Sequence, residues 1–106
     1  MQIKILVVED DPALLNILSA KAKSLDYKII GAKDGEQAIK KFKIEHPDLV
    51  LLDIYLPLKN GFEVLKVIKE KHSGTKVIML TGFADLKNAI ESKKLGAEDF
   101  VSKPYD

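Results

Sequence analysis

The chain has 106 residues, a formal net charge of +1 and no cysteine, and 46% of its residues are hydrophobic while 31% are charged. This length suits one globular domain, and the lack of cysteine excludes disulfides, zinc–thiolate sites and thiol catalysis. The small net charge gives no bulk attraction to nucleic acid or to a membrane surface. No membrane-length apolar run and no signal-peptide pattern occurs, so the expected location is cytoplasmic.

The first half of the chain alternates short apolar runs with amphipathic stretches. A β-branched run at Ile3–Val8 predicts a buried strand, and Asp11-Pro12 predicts the start of a helix. The residues of that helix expected to face inward recur at helical spacing: Leu14, Leu15, Leu18, Ala22 and Leu25. Lys28–Ala32 predicts a second strand. The capping-box pattern that begins at Asp34 predicts a second helix, which ends near His46-Pro47.

The second half repeats this alternation. Leu49–Asp53 predicts a third strand, and the Asn60-Gly61-Phe62-Glu63 pattern predicts the start of a third helix. Lys76–Thr81 predicts a fourth strand, a helix from Asp85 to Gly96 follows, and Asp99–Ser102 predicts a fifth strand. Continuous apolar strands joined by helices are typical of an α/β fold, here a doubly wound, five-stranded parallel sheet.

Polar side chains lie at the carboxyl ends of these predicted strands, where ligands bind in open parallel sheets. They are Glu9, Asp10, Asp11, Asp53, Thr81 and Lys103. Clustered carboxylates repel one another, and a hard divalent cation such as Mg²⁺ would relieve that repulsion. A lysine can pair with a carboxylate, and a carboxylate beside a metal ion and a lysine can act as a nucleophile toward a phosphoryl group.

Four segments in chain order resemble the receiver, or CheY-like, domain family of two-component response regulators. They are VVEDD at 7–11, LLDIYLP at 51–57 with Gly61, MLTG at 79–82 and FVSKP at 100–104. The resemblance covers nearly the whole chain and implies a flavodoxin-like strand order of 2-1-3-4-5. It also implies a signalling switch rather than a metabolic enzyme. Such a switch accepts a phosphoryl group from a sensor histidine kinase or phosphotransfer protein and regulates an output partner.

The resemblance implies a role for each residue of the acidic site. Asp53 is expected to be the phosphoacceptor and Asp10 a direct ligand of Mg²⁺, while Glu9 acts on the ion through water. The backbone carbonyl of Tyr55 would complete the metal shell. Asp11, by contrast, is expected to be a helix cap because it precedes a proline.

The resemblance further implies that Lys103 contacts the phosphoryl group and Asp53. Thr81 would move toward a phosphoryl oxygen, and Phe100 would rotate into the space that Thr81 leaves. Tyr55 and Phe83, each two residues after a site residue, would flank the path of the water that hydrolyses the phosphoaspartate. Two large aromatic rings there predict slow autodephosphorylation. His46 and His72 are expected only to end helices.

The family's fold adds a fifth helix after the fifth strand, whereas this chain stops at Asp106. We therefore expect residues 1–106 to form one receiver domain truncated after its last strand, with an apolar face left uncovered beside the first helix. Three outcomes follow from such a face. The chain is a fragment of a longer regulator, it self-associates, or another partner compensates for the lost helix.

Two other classes of function compete with a phosphorylated switch. A receiver can serve as a phosphate-independent binding module, but the intact set of Glu9, Asp10, Asp53, Thr81 and Lys103 argues against this. A phosphatase of the haloacid dehalogenase type would need a second Asp where Tyr55 stands, and a cobalamin-binding domain would need a His there. The glycines form no dinucleotide fingerprint, and residues 1–106 contain no DNA-binding module, so direct nucleic acid binding by this segment is not expected.

Overall fold

The five apolar runs form five strands. They are β1 (Lys4–Val8), β2 (Lys28–Ala32), β3 (Leu49–Asp53), β4 (Lys76–Thr81) and β5 (Asp99–Ser102). In this computed structural model they pair in parallel in the order β2-β1-β3-β4-β5, which confirms the predicted sheet. The structure describes residues 3–56, 60–81 and 93–102, and for residues 81 and 100–102 it describes the backbone alone.

Three helices connect the first four strands: α1 (Pro12–Ser24), α2 (Gly35–Glu45) and α3 (Gly61–Lys71). Each begins at a predicted cap, because a side-chain oxygen of Asp11, Asp34 or Asn60 accepts a hydrogen bond from a backbone N–H of the first turn. No helix in the described part of the chain is long and apolar enough to cross a membrane. Most of the helix predicted from Asp85 lies outside the described residues.

Among the residues that the structure describes, the two faces of the sheet are not covered equally. The face under α2 and α3 holds a cluster of fully buried side chains: Leu6, Val8, Val50, Leu52, Val64, Leu65, Ile68, Val77 and Met79. Under α1 a smaller cluster surrounds Ile5 and Val7, and the α1 residues Leu15 and Leu18 are only partly buried there. The apolar core that supports the end of the sheet therefore lies mainly on the side of α2 and α3.

One residue that was expected to face the core, Leu25, is exposed instead. Leu25 continues the helical spacing of α1, but its side chain is 61% exposed. The helix ends at Ser24, and Leu25 is the residue that caps it. Past the helix end the backbone no longer follows the helical period, so the spacing ceases to predict which way a side chain points.

A charged network joins α3 to the segment before β5. The ammonium of Lys69 donates to a carboxylate oxygen of Glu98 at 2.7 Å and to the carbonyl of Thr75 at 2.7 Å. The other carboxylate oxygen of Glu98 accepts from the N–H of Val77, and the N–H of Glu98 donates to the carbonyl of Val77 at 2.8 Å. Partial burial alone would raise the pKa of Glu98, but the Lys69 and Val77 hydrogen bonds and the Lys69 charge outweigh it and lower the pKa.

We predict that Glu98→Gln lowers the free energy of unfolding by about 1 kcal/mol at neutral pH, since the lost ion pair is partly exposed. The folded-state pKa is depressed, so this stability is fully present above the ordinary Glu pKa of about 4.5 and is lost as the pH falls through the folded value. Urea unfolding from pH 7 to pH 3 measures the difference. Glu70→Gln, at an exposed position of α3, is the matched control. A difference that stays constant down to pH 3 would contradict the prediction.

Candidate functional site

The ends of β1 and β3 bring the acidic residues together. The two strands are neighbours, and their register pairs Val8 with Leu52. Glu9, which follows β1, therefore lies beside Asp53, the last residue of β3. The N–H of Glu9 donates to the carbonyl of Ala32 in β2 at 3.0 Å, which holds this segment at the end of the sheet.

The three predicted metal-binding side chains form one cluster. Glu9, Asp10 and Asp53 each offer a carboxylate oxygen, and these oxygens lie within 4.8 Å of one another. Glu9 and Asp53 are buried, with 1% and 3% exposure, whereas Asp10 is exposed. Two unit charges at ~5 Å repel by about 3 kcal/mol at an effective dielectric constant of ~20, so the cluster favours a cation. A set of hard oxygen donors open to solvent on one side fits Mg²⁺, which retains several waters when bound.

Backbone N–H groups orient the two buried carboxylates. The backbone N–H of Asp11 donates to Glu9 Oε2 at 3.2 Å. The backbone N–H of Tyr55 donates to Asp53 Oδ1, also at 3.2 Å. Each of these hydrogen bonds fixes the position of one carboxylate oxygen. Asp11 itself turns its carboxylate to the N–H of Ala13 at 3.0 Å, so the expectation that it is a helix cap is confirmed.

Gly61 sets how closely α3 approaches the end of β3. A Cβ at this position would lie 2.2 Å from the carbonyl oxygen of Asp53 and 2.7 Å from Cα of Ile54. The N–H of Gly61 donates to the carbonyl of Ile54 at 2.6 Å. Only a residue without a side chain fits this contact. Sequence reasoning recognised Gly61 as part of a motif but missed this packing role. The signal was a glycine placed just inside a helix, where propensity disfavours it.

The remaining predicted residues are placed only in part. Because Asp53 pairs with Leu80, the backbone of Thr81 lies at the same end of the sheet as the acidic cluster. The backbone of Phe100 pairs with Met79 in β4. The structure does not describe the side chains of Thr81 and Phe100. Lys103 and Phe83 lie entirely outside the described residues. Tyr55 directly follows the buried Ile54, and its side chain is 55% exposed.

The family model for the response regulator receiver domain matches residues 5–106. Among solved structures, a CheY-like response regulator receiver domain protein from Methanospirillum hungatei superposes with a TM-score of 0.95 at 32% identity, covering 100% of this chain and 85% of that one. The match to this solved structure therefore extends over the full length of the present chain.

Longer relatives match over the same length. The chain is 39% identical over 102 residues to a probable transcriptional regulator, ycf27, of Porphyridium aerugineum, covering 96% of this chain and 42% of that protein. It is 36% identical over 105 residues to the alkaline phosphatase synthesis transcriptional regulatory protein PhoP of Bacillus subtilis, covering 99% of this chain and 44% of that protein. The chain therefore spans less than half the length of these curated relatives.

The contact at Gly61 yields a stability prediction. Gly61→Ala should lower the free energy of unfolding by at least about 2 kcal/mol, because the new methyl group must displace the backbone of Asp53 and Ile54. Thermal unfolding should show a loss of about 10 °C or more. Gly74→Ala is the control, since its Cβ would meet only the side chain of His72, at 3.2 Å. Equal losses in the two variants would contradict the role given to Gly61.

Proposed function

The chain belongs to the response regulator receiver domain family, and on this premise we propose that it is switched by phosphorylation of Asp53. It is a two-component response regulator receiver, a signalling domain. The observation that carries the proposal is the cluster of Glu9, Asp10 and Asp53, whose carboxylate oxygens lie within 4.8 Å of one another.

Asp53 is the proposed nucleophile because it ends a central strand and its carboxylate has a fixed orientation. The N–H of Tyr55 donates to Oδ1, and the backbone of Asp53 packs against Gly61. A carboxylate oxygen of Asp53 would attack the phosphorus of a phosphohistidine or of acetyl phosphate. The bond from phosphorus to the donor breaks, and an acyl phosphate forms on Asp53.

The other acidic residues would hold a metal ion. Asp10, Asp53 and the backbone carbonyl of Tyr55 are its proposed direct ligands, and Glu9 acts through water. A bound Mg²⁺ would offset the negative charge of the carboxylates and of the incoming phosphoryl oxygens. Glu9 is buried and Asp10 is exposed, which supports a site that is anchored on one side and open to solvent on the other.

The proposed response to phosphorylation runs from β4 to β5. Lys103 and Thr81 would contact the phosphoryl oxygens, and Phe100 would turn inward as Thr81 moves. The parallel pairing of β4 with β5 supports this path, since it brings the backbone of Thr81 and Ser102 together. A local change in charge would thereby repack a distant surface.

The proposed partners are a sensor histidine kinase or phosphotransfer protein, which would supply the phosphoryl group, and an output partner that reads the switch. The relatives are named as transcriptional regulators, which supports an output of that kind in the whole protein. We place the domain in the cytoplasm and assign it no direct nucleic acid contact. Self-association through the less covered α1 face is supported by the partial exposure of Leu15 and Leu18.

Incubation with acetyl phosphate and Mg²⁺ should add one phosphoryl group to the wild-type chain, as intact mass would show. Asp53→Asn should abolish the addition, because no carboxylate oxygen remains to attack. A chelator should abolish it as well. Asp26→Asn is the matched control, because Asp26 is exposed and has a positive φ that asparagine tolerates. Phosphoryl addition to Asp53→Asn at the wild-type rate would exclude the proposal.

We also predict that the acyl phosphate is long-lived. The ring of Tyr55 sits two residues after Asp53, and with Phe83 it would obstruct the water that attacks the phosphorus. Replacement by smaller residues, Tyr55→Asn with Phe83→Ala, should shorten the phosphoryl half-life several-fold. Loss of the phosphoryl group from purified phosphoprotein gives the rate. Tyr27→Asn, far from the acidic end, is the control, and equal half-lives of wild type and double variant would discard the idea.

A further inference from the structure

Strand β2 lies at one edge of the sheet, next to β1. The N–H of Lys28 donates to the carbonyl of Ile3 at 2.8 Å, and the carbonyl of Ala32 accepts the N–H of Glu9 at 3.0 Å. Because the backbone groups alternate in direction along an extended strand, every second residue from Lys28 onward bonds to β1. The N–H and C=O groups that point out of the sheet belong to the residues between them: Ile29, Gly31 and Lys33.

Two side chains of α2 bond to the outward groups at the carboxyl end of β2. The ammonium of Lys41 donates to the carbonyl of Gly31. The side-chain amide oxygen of Gln37 accepts the N–H of Lys33, the residue after the strand, at 3.1 Å. Gln37 and Lys41 are four residues apart, so they lie on the same side of the helix. Together they form the α2 pair, which lies along the edge of the sheet.

The contacts of the α2 pair reproduce those of one residue in a neighbouring parallel strand. Such a residue donates its N–H to one carbonyl of the adjacent strand, and its C=O accepts the N–H that lies two residues further along. The carbonyl of Gly31 and the N–H of Lys33 are two groups of this kind, because both point outward and they flank Ala32. The ammonium of Lys41 takes the part of the incoming N–H, and the amide oxygen of Gln37 takes the part of the incoming C=O.

The amino half of the same edge is more open. A groove between α1 and β2 is lined in part by Ile29 and Gly31, so solvent reaches this part of the strand. The N–H of Tyr27, just before β2, turns back to the carbonyl of Ala22 at 3.2 Å. The groups of Ile29 and the N–H of Gly31 could therefore pair with about one residue of another strand. Strands are usually ~3–10 residues long, so this stretch alone is too short to hold a partner.

We propose that the α2 pair prevents β2 from pairing with β2 of a second copy of this chain. An edge strand is a template for another strand, and charged side chains placed on the edge are one way in which proteins block it. A second copy presents the same apolar strand, and a twofold axis would align the two edges antiparallel. Pairing in either direction uses the outward groups of Gly31 and Lys33, which the α2 pair already bonds.

Sedimentation equilibrium of the double variant Gln37→Met/Lys41→Met tests this proposal. Methionine keeps the length of both side chains but removes the acceptor and the donor. The variant should self-associate at least about tenfold more strongly than the wild type, because two outward backbone groups become available for pairing. Amide hydrogen exchange at Ile29 and Gly31 should be slower in the associated variant, since their outward N–H groups would be bonded across the new strand pair.

Two controls separate edge pairing from general apolar attraction. Glu36→Met/Lys40→Met places the same two side chains at exposed positions of α2, also four residues apart, and should associate as the wild type does. Lys41→Arg keeps a cationic donor for the carbonyl of Gly31 and should also behave as the wild type. The single variant Lys41→Met should show a smaller rise in association than the double variant, and it provides the test if the double variant does not fold.

Three results would overturn the proposal. The first is equal association of the wild type and of the variants that lack the α2 pair. The second is an equal rise in association in the Glu36→Met/Lys40→Met control. The third is stronger association with unchanged hydrogen exchange at Ile29 and Gly31, because the copies would then meet through another surface. Hydrogen bonds that only fasten α2 to the sheet would change the stability of the fold and leave its association as it is.

Discussion

Three carboxylates held close together at one end of a parallel sheet are the constraint on which the proposed function of this domain depends. The oxygens of Glu9, Asp10 and Asp53 lie within 4.8 Å of one another, and two of these side chains are buried. Repulsion and lost hydration both oppose this arrangement. It persists because each buried carboxylate belongs to, or directly follows, a strand whose backbone hydrogen bonds are fixed. In the proposed function the same arrangement is what responds, since a cation or a phosphoryl group would change the balance of charge among three fixed carboxylates.

The rest of the fold supplies that rigidity. The cluster of fully buried side chains under α2 and α3 anchors β1 and β3 to each other. At Gly61 the first residue of α3 packs directly against the backbone of Asp53, with no room for a side chain between them. The ammonium of Lys69, near the other end of α3, reaches the carboxylate of Glu98 just before β5. Helix α3 thus packs at its start against the backbone of Asp53 and is joined near its end to Glu98, the residue before β5.

Sequence patterns predicted the secondary structure well, for local reasons. Apolar runs matched the strands almost residue by residue, and the caps at Asp11, Asp34 and Asn60 started their helices as predicted, because both signals act within a few residues. The inward assignment of Leu25 failed because periodicity does not reveal where a helix stops. The packing role of Gly61 was missed because it depends on a contact with another element, which no local pattern reports.

The acidic cluster was predicted from strand ends, but its chemical roles came from resemblance to a family. Physical reasoning from the sequence predicted only that the carboxylate oxygens lie close together, because parallel strands place their carboxyl ends at the same edge of the sheet. It could not rank Asp53 above Glu9 or Asp10 as nucleophile, since all are carboxylates and differ only in orientation. The structure adds that the N–H of Tyr55 fixes one oxygen of Asp53. The parts that Thr81 and Lys103 play stay predictions.

Thermal unfolding of the wild type and of Asp53→Asn, with and without Mg²⁺, tests the central claim most directly. The asparagine keeps an acceptor for the N–H of Tyr55 but removes one of three mutually repelling charges. In the presence of a chelator the variant should unfold at a higher temperature than the wild type, by several degrees for a gain of about 1 kcal/mol. Addition of Mg²⁺ should raise the midpoint of the wild type much more than that of the variant. A variant that is less stable without metal, together with a wild type that does not respond to Mg²⁺, would contradict the account.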